Sequence, residues 1–329
     1  MPNPPITEQA LTGQRLSDKT LTGLATEQDH AASQHLDQLS TLDVLALMNT
    51  ADAEVPAAVA REIPRIGLAV DAVAAALERG GHLVYIGAGT SGRLGVLDAS
   101  ECAPTFNVPK DLVRGIIAGG EAALTYAAEG SEDDSEAGAR DLMASGFGSG
   151  DVLIGIAASG RTPYVLGAIA KAREVGAVTC GISCTPDSEL SRAVDFPIEA
   201  VPGPEVLTGS TRLRAGTATK LVLNMISTAV MIRLGCVYGN LMVNVQPSNR
   251  KLEDRARRII QSAAQVSYHR AAELLEESGR SVRVAIVMEK RGVDRQEAER
   301  LLAAARGRIA EALKEQGDRG QGTGASKPE

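Results

Sequence analysis

Residues 82–93 read His-Leu-Val-Tyr-Ile-Gly-Ala-Gly-Thr-Ser-Gly-Arg, and residues 151–162 read Asp-Val-Leu-Ile-Gly-Ile-Ala-Ala-Ser-Gly-Arg-Thr. Each stretch begins with an apolar run and reaches a Ser-Gly-Arg turn, which predicts a buried strand, a tight turn and a helix start. The first N–H groups of a helix lack internal partners and the helix dipole adds positive potential, so such a turn can bind an anion. Two copies predict a parallel sheet whose loops hold a phosphorylated small molecule at one edge.

The polar groups of these two turns are the expected phosphate ligands, because Ser and Thr hydroxyls donate hydrogen bonds to phosphate oxygens. We expect the following residues to bind the substrate: Gly89, Thr90, Ser91, Gly92, Ser159, Gly160, Arg161 and Thr162. The first turn also matches the dinucleotide pattern G-x-G-x-x-G, beginning at Gly87. A dinucleotide site is disfavoured because such sites have an acidic residue at the end of the second strand, whereas Asp111 precedes that strand here. Tight turns without a ligand remain the simpler alternative.

Strands alternate with helices along the central part of the chain. The predicted strands are Leu83–Ile86, Leu112–Ile117, Val152–Ala157, Val178–Ser183 and Phe196–Ala200. The predicted helices are one opened by Ser40, then Val55–Arg79, Ala122–Ala128, Ser135–Met143, Pro163–Glu174 and Leu213–Leu234. This alternation predicts an α/β fold with a doubly wound, mainly parallel sheet flanked by helices.

Composition shifts divide the chain into four predicted parts. Residues 1–67 form an N-terminal arm with helices, and residues 68–245 form the sheet domain that is expected to bind the phosphorylated ligand. Residues 246–315 form a small helical domain, with helices expected at 251–277, 282–290 and 293–314. The Gly-rich polar tail, 316–329, is expected to be disordered.

Composition and charge exclude several classes of function. A net charge of −7 and an aromatic content of 2% argue against a nucleic-acid surface or a polybasic membrane patch. We find neither a signal-peptide pattern nor an apolar run of about 18 residues, so we expect no membrane association. The four cysteines are too few and too scattered for a disulfide framework, which predicts buried thiols in a reducing cytoplasm. No spacing of His, Cys, Asp and Glu suggests a metal centre.

Two carboxyl groups are candidates for acid–base chemistry. Glu101 has apolar neighbours near a predicted helix end, and Glu132 follows a predicted helix within an acidic cluster. A carboxyl group in a partly dry cleft has a raised pKa and can act as an acid or a base near neutrality. The simpler alternatives are a helix-end carboxylate for Glu101 and a solvated capping cluster for Glu132.

Several long motifs resemble those of the N-acetylmuramic acid 6-phosphate etherases, over a region from about Thr26 to the C-terminal helices. The matching stretches are Gly87–Cys102, Ile117–Gly120, Glu129–Asp133, Gly155–Val165, Leu207–Arg212, Ala215–Ala218 and Asn240–Val243. Two departures occur, at Ala103, where a proline often stands, and at His30, where Asn is usual. They concern local loop shape only.

The resemblance implies a sugar isomerase (SIS) fold in a cytoplasmic, homodimeric enzyme that uses neither metal nor cofactor and recycles cell-wall amino sugars. Members of this family cleave the lactyl ether of N-acetylmuramic acid 6-phosphate with water, giving N-acetylglucosamine 6-phosphate and D-lactate. The family's two catalytic glutamates fall on Glu101, which would protonate the lactate, and Glu132, which would be the base. Related alternatives are an aldose–ketose isomerase or another lyase, and a phosphosugar-sensing regulator similar to the glucokinase regulatory proteins.

The spacing of Glu101 raises a geometric question. In a continuous helix, Glu101 would lie nine residues, or roughly 13 Å, beyond Gly92. Either Glu101 then acts from the opposite subunit of a dimer, or the loop at Ser159 holds most of the phosphate. The sequence leaves both arrangements open.

Overall fold

The structure, a computed structural model, describes residues 26–126 and 128–314. The strands are β1 (Leu83–Gly87), β2 (Val113–Ile117), β3 (Val152–Ile156), β4 (Val178–Ser183), β5 (Phe196–Glu199), β6 (Val237–Tyr238) and β7 (Leu241–Met242). The helices of the first part are α1 (Thr41–Asp52), α2 (Val55–Arg61), α3 (Ile63–Glu78), α4 (Gly89–Phe106), α5 (Ser135–Ala144), α6 (Pro163–Glu174), α7 (Glu189–Ala193) and α8 (Arg214–Arg233). Those that follow are α9 (Arg250–Ala264), α10 (Tyr268–Glu277), α11 (Val282–Arg291), α12 (Arg295–Ala304) and α13 (Ile309–Ala312).

The main sheet has five parallel strands in the order β2-β1-β3-β4-β5, which confirms the predicted fold class. The chain passes from β1 to β2 on one side and then returns to β3 on the other side of β1. Ligands of open α/β sheets bind outside the carboxyl ends of the strands at such a switch in direction. The two Ser-Gly-Arg turns follow β1 and β3, the strands that flank this switch.

Helices cover both faces of the sheet. On one face, Gly95 of α4 packs closely on Tyr85 and Ile156, where a Cβ atom at position 95 would lie 3.0 Å from Cβ of Tyr85. On the other face, Val84, Ile86 and Leu153 share an apolar cluster with α5 and α6. Because every residue of β1 and β3 is buried, these strands are apolar throughout, as expected for a parallel sheet between two helical layers.

The described residues divide into two compact units, one of residues 26–101 with 110–227 and the other of residues 102–109 with 228–314. The second unit contains the β6–β7 hairpin and α9 to α13, around an apolar core that includes Ile260, Leu274 and Ile286. Within it, the side chain of Asn244 donates to the backbone carbonyls of Phe106, at 2.6 Å, and Asn107, at 3.0 Å. The predicted boundaries at residues 67, 245 and 315 do not follow these units and stay a prediction.

Several predicted helices are divided in the structure. The stretch 251–277 forms α9 and α10, because Gln265 takes a left-handed conformation (φ 60°) and Ser267 caps the next helix. The pattern between residues 55 and 79 forms α2 and α3, with a proline in the first turn of each. A 3-10 turn at Glu121–Leu124 begins the stretch predicted as the helix Ala122–Ala128. The expected tail, 316–329, lies outside the described residues.

Candidate active site

The first turn passes from β1 into α4 with almost no connecting chain. A Cβ atom at Gly92 would lie 2.6 Å from the carbonyl oxygen of Gly87 and 2.7 Å from Ile117, so only glycine fits there. The N–H of Gly92 donates to the carbonyl of Ala88, and the helix begins at Gly89, which has a φ of 51°. The N-terminal amides of α4 therefore lie directly at the carboxyl end of β1, which is the arrangement that binds anions.

The second turn joins β3 to α6 and is shaped by Gly160. Its φ is 66°, and a Cβ atom there would lie 2.2 Å from Cβ of Ser188. The carbonyl of Gly160 accepts a hydrogen bond from Leu190 N–H at 2.9 Å, which fixes this turn to the start of α7. Ser159 and Thr162 flank the glycine, so their hydroxyls lie at the same sheet edge as the first turn.

Glu132 lies between the two turns. Its backbone carbonyl accepts a hydrogen bond from Tyr164 N–H, at the start of α6, at 3.0 Å. Its carboxylate reaches the first turn, where a Cβ atom at Gly89 would lie 3.1 Å from Glu132 Oε1. The side chain is half-buried. The structure therefore brings one of the two candidate glutamates to both predicted phosphate turns.

Glu101 lies away from these groups within the same chain. Helix α4 runs without interruption from Gly89 to Phe106, and Glu101 is exposed near its far end. The nine residues after Gly92 correspond to roughly 13 Å of helix, as the sequence indicated. One turn earlier, buried Asp98 accepts hydrogen bonds from Tyr85 Oη at 3.0 Å, Asn224 Nδ2 at 2.7 Å and Ser227 Oγ at 3.1 Å. This polar cluster fixes α4 to β1 and α8.

The two arginines of the Ser-Gly-Arg turns make contacts within the protein. Arg93 donates to the carbonyls of Leu124, at 3.1 Å, and Tyr126, at 3.3 Å. Arg161, which we expected to bind substrate, forms an ion pair with Glu189 at 3.2 Å. Both guanidinium groups thus hold neighbouring segments against the turns.

The start of α8 is a part of the site to which the sequence analysis assigned no role. A Cβ atom at Gly216 would lie 3.6 Å from Cγ2 of Thr90, so this helix begins beside the first turn. Glu205 is 1% exposed and accepts hydrogen bonds from the N–H groups of Arg214 and Ala215, both at 2.9 Å. Burial raises the pKa of Glu205, although these hydrogen bonds and the charge of Arg214 oppose the rise. The Ser- and Thr-rich run at 207–212, directly before a long helix, was the signal available in the sequence.

Other features of the described chain bear on cofactors and membranes. Between residues 26 and 314, Ala127 excepted, no three His, Cys, Asp or Glu side chains are grouped so that they could hold a metal ion. All four cysteines are buried free thiols, as predicted, and burial raises the pKa of Cys184 to about 12. By length and composition alone helix α8 could cross a membrane, but 56% of its most apolar window is buried within the protein, as in a core helix.

Family models of the SIS domain match the part of the chain that contains the main sheet. Residues 65–173 match the model of the glucokinase regulatory protein N-terminal SIS domain, and residues 125–229 match that of the SIS domain. A solved structure of a phosphoheptose isomerase from Francisella tularensis is 19% identical, covering 59% of this chain and 100% of that chain, with a TM-score of 0.47.

Curated relatives match over most of the chain. The N-acetylmuramic acid 6-phosphate etherase of Rubrobacter xylanophilus is 53% identical over 293 residues, which cover 89% of this chain and 97% of the relative. The protein of the same name from Aeromonas hydrophila is 52% identical over 291 residues, covering 88% and 98%. Identity at this level over nearly the full length of both relatives shows that the chain belongs to the N-acetylmuramic acid 6-phosphate etherase family.

Proposed function

We propose that this protein cleaves the D-lactyl ether of N-acetylmuramic acid 6-phosphate with water, giving N-acetylglucosamine 6-phosphate and D-lactate. The observation that carries the proposal is the position of Glu132, whose carboxylate adjoins Gly89 and whose carbonyl is bound by Tyr164. A carboxylate so placed faces a ligand whose phosphate lies on either turn. Membership of the etherase family supplies the substrate and the class, a carbon–oxygen lyase in amino-sugar catabolism.

The chemistry needs one base and one acid. An ether to a secondary carbon resists hydrolysis because an alkoxide leaves poorly. Once the sugar ring opens, the aldehyde at C1 makes the C2 proton acidic and leaves the lactyl oxygen β to a carbonyl. A base removes the C2 proton, an acid protonates the departing lactate, and water then adds to the unsaturated aldehyde at C3. Positioned acid and base groups each contribute on the order of 10²–10⁴-fold.

We assign the base to Glu132 and the acid to Glu101, with the phosphate held at the other end of the sugar. The donors are the amides and hydroxyls of two turns, from residues Gly89, Thr90, Ser91, Gly92, Ser159, Gly160 and Thr162, with Arg161 beside them. Binding energy from the phosphate can then orient C2 and C3 toward the reacting groups, because it comes from a part of the substrate that does not react.

The position of Glu101 supports a homodimer as the working form. A helix of about 13 Å separates it from the phosphate turn of its own chain, and Leu97, one turn earlier on α4, is 52% exposed. A second copy that packs on this face of α4 would bring its own Glu101 toward a neighbouring site. The buried free thiols and a phosphorylated substrate fit the cytoplasm.

The same separation favours an aldose–ketose isomerase as the second candidate. An isomerase needs the phosphate turns and one base, and it has no use for an acid directed at a leaving ether. Glu132 alone would suffice for that reaction. A regulator that binds phosphosugars without turnover would need neither glutamate.

Incubation with N-acetylmuramic acid 6-phosphate tests the proposal. We expect D-lactate and N-acetylglucosamine 6-phosphate in equal amounts, measured by an enzymatic lactate assay and by mass spectrometry. Activity is expected to survive dialysis against EDTA, because the proposed steps use carboxyl groups only. Conversion of an aldose 6-phosphate with a free 2-hydroxyl group to its ketose isomer, without lactate release from N-acetylmuramic acid 6-phosphate, would favour the isomerase, and binding without turnover would favour the regulator.

A further inference from the structure

The segment that carries Glu132 is held between two helices. Three residues after Glu132, helix α5 begins at Ser135, capped by Asp134, whose Oδ1 accepts Ala137 N–H at 2.8 Å. Since the carbonyl of Glu132 is bound by Tyr164 N–H of α6, the position of its carboxylate depends on how closely α5 approaches α6.

Two glycines set this approach, one on each helix. A Cβ atom at Gly138 of α5 would lie 1.8 Å from the carbonyl oxygen of Tyr164, and one at Gly167 of α6 would lie 2.0 Å from the carbonyl oxygen of Ser135. Real Cβ atoms essentially never come within 3.0 Å of another heavy atom, and a backbone carbonyl cannot turn aside as a flexible side chain can. Each helix thus places a bare Cα against a backbone carbonyl of the other.

A side-chain hydrogen bond joins the same pair of helices. The hydroxyl of Tyr164 donates to Asp141 Oδ2 of α5 at 2.6 Å, and its ring is 1% exposed. Asp141 lies one turn beyond Gly138, so the contact extends along α5. Tyr164 therefore meets the Glu132 segment through its N–H, Gly138 through its carbonyl and Asp141 through its hydroxyl.

We propose that Gly138 and Gly167 are positioning residues that set the place of the Glu132 carboxylate against the first phosphate turn. This inference rests on the proposed role of Glu132 as the base. A methyl group at either position moves α5 away from α6 by on the order of 1 Å, and a misplacement of that size costs up to about 100-fold in rate when a reacting group is displaced. The first phosphate turn belongs to neither helix, and the second is fixed at Gly160 by its contacts with Ser188 and Leu190, so we expect substrate binding to be retained.

The chain offers a matched control for the substitution. A Cβ atom at Gly81 would lie 2.0 Å from the carbonyl oxygen of Gly150, a clash of the same kind and size. That contact precedes β1 and β3, at the amino end of the sheet, opposite to the phosphate turns. Gly148, where a Cβ atom would meet nothing within 4 Å, serves as the control in open space.

The experiment compares Gly138→Ala and Gly167→Ala with Gly81→Ala and Gly148→Ala. For each folded protein, KM, the rate of lactate release and the rate of deuterium exchange at C2 in heavy water are measured with N-acetylmuramic acid 6-phosphate. We expect Gly138→Ala and Gly167→Ala to lower exchange and release together by about 10- to 100-fold, with KM within about threefold of the wild type. The controls are expected to keep both rates, although Gly81→Ala will lower the melting temperature.

Tyr164→Phe covers the case in which a glycine variant fails to fold, because it removes only the hydroxyl. We expect it to lower C2 exchange several-fold with little change in KM. Unchanged C2 exchange in the folded Gly138→Ala and Gly167→Ala variants would overturn the proposal. If neither of these variants folds, unchanged exchange in Tyr164→Phe would overturn it. A loss of exchange in Gly81→Ala as large as that in the other two glycine variants would also overturn it. A wild-type protein that releases no lactate would instead reject the proposed function.

Discussion

At the scale of single residues, the division of work between the two glutamates is the sharpest question. Proton removal at C2 and departure of the ether are separate steps that need different groups. We therefore expect Glu132→Gln to abolish both C2 deuterium exchange and lactate release. Glu101→Gln is expected to stop lactate release and to leave part of the exchange, because removal of the proton does not require a protonated leaving group. Mass spectrometry of recovered substrate measures both. The opposite pattern would exchange the two roles, and full activity in either variant would remove that residue from the mechanism.

The hydroxyl groups of the second turn give a binding prediction. Ser159→Ala and Thr162→Val each remove a donor to phosphate, and a hydrogen bond to a charged group contributes about 1–3 kcal/mol. We expect each variant to weaken phosphosugar binding by that amount, as measured by calorimetry, with exposed Ser262→Ala on α9 as the control. Unchanged affinity in both variants would show that this turn does not hold the phosphate.

Individual residues also show what the sequence could predict. The Ser-Gly-Arg turns were visible because a buried strand, a glycine and a hydroxyl follow each other within a few residues. The placement of Glu132 beside Gly89 was not visible in the sequence. It depends on the contact between α5 and α6, and α6 lies some 30 to 40 residues after Glu132. The buried pairing of Glu205 with the start of α8 was invisible for the same reason. From the sequence alone, a carboxylate among polar residues is expected to be solvated, and only the fold shows that it is buried.

At the scale of the elements, Asp151 connects the amino ends of the neighbouring strands β1 and β3. Its carboxylate accepts hydrogen bonds from the N–H groups of His82 and Gly148, both at 2.8 Å, and lies 2.9 Å from His82 Nδ1. Burial alone would raise the pKa of Asp151, but these hydrogen bonds outweigh it and hold the pKa below its usual value. Asp151 therefore contributes stability above the pKa of an unfolded aspartate, and this contribution is lost as the pH falls through the lower folded value.

A pH series tests this contribution. We expect Asp151→Asn to lower the free energy of unfolding near neutrality by on the order of 1–3 kcal/mol, because the amide replaces an acceptor of N–H groups with a donor. The difference from the wild type should shrink as the pH falls below about 4. Urea denaturation at several pH values measures it, with exposed Asp111→Asn as the control. A difference that stays constant down to the acid range would contradict the assigned cause.

The helices and strands were predicted best where a single hydrophobic pattern was enough to identify them. The five strands of the main sheet were found because they are continuous apolar runs bounded by glycine and polar turns. The C-terminal helices were found but joined wrongly at Gln265 and at Arg306, because a left-handed residue interrupts a helical pattern without changing its composition. The strand order was not predicted, because the alternation of strands and helices indicates a parallel sheet but leaves open on which side of β1 each later strand lies.

At the scale of the whole molecule, the sequence predicted one site built at a sheet edge, and in the described chain the Glu132 carboxylate adjoins Gly89 at that edge. Glu101 could not be placed from one chain, because the distance along a continuous helix separates it from the phosphate turns. The proposed dimer would resolve this, since a twofold axis would bring the Glu101 of each copy to the site of the other.

Mixing two inactive variants tests that assembly. In a dimer with Glu101 supplied by the partner, a mixed dimer of Glu101→Gln and Glu132→Gln contains one site with both glutamates intact and one site with neither. Equal amounts that exchange subunits at random give half mixed dimers, so we expect recovery of about a quarter of wild-type lactate release. If both glutamates act from the same chain, every site in the mixture lacks one of them and no activity returns. Light scattering during the assay establishes that the protein is dimeric, and a monomer of full activity would exclude the shared site. The recovered fraction thus separates the two arrangements that the length of α4 leaves open.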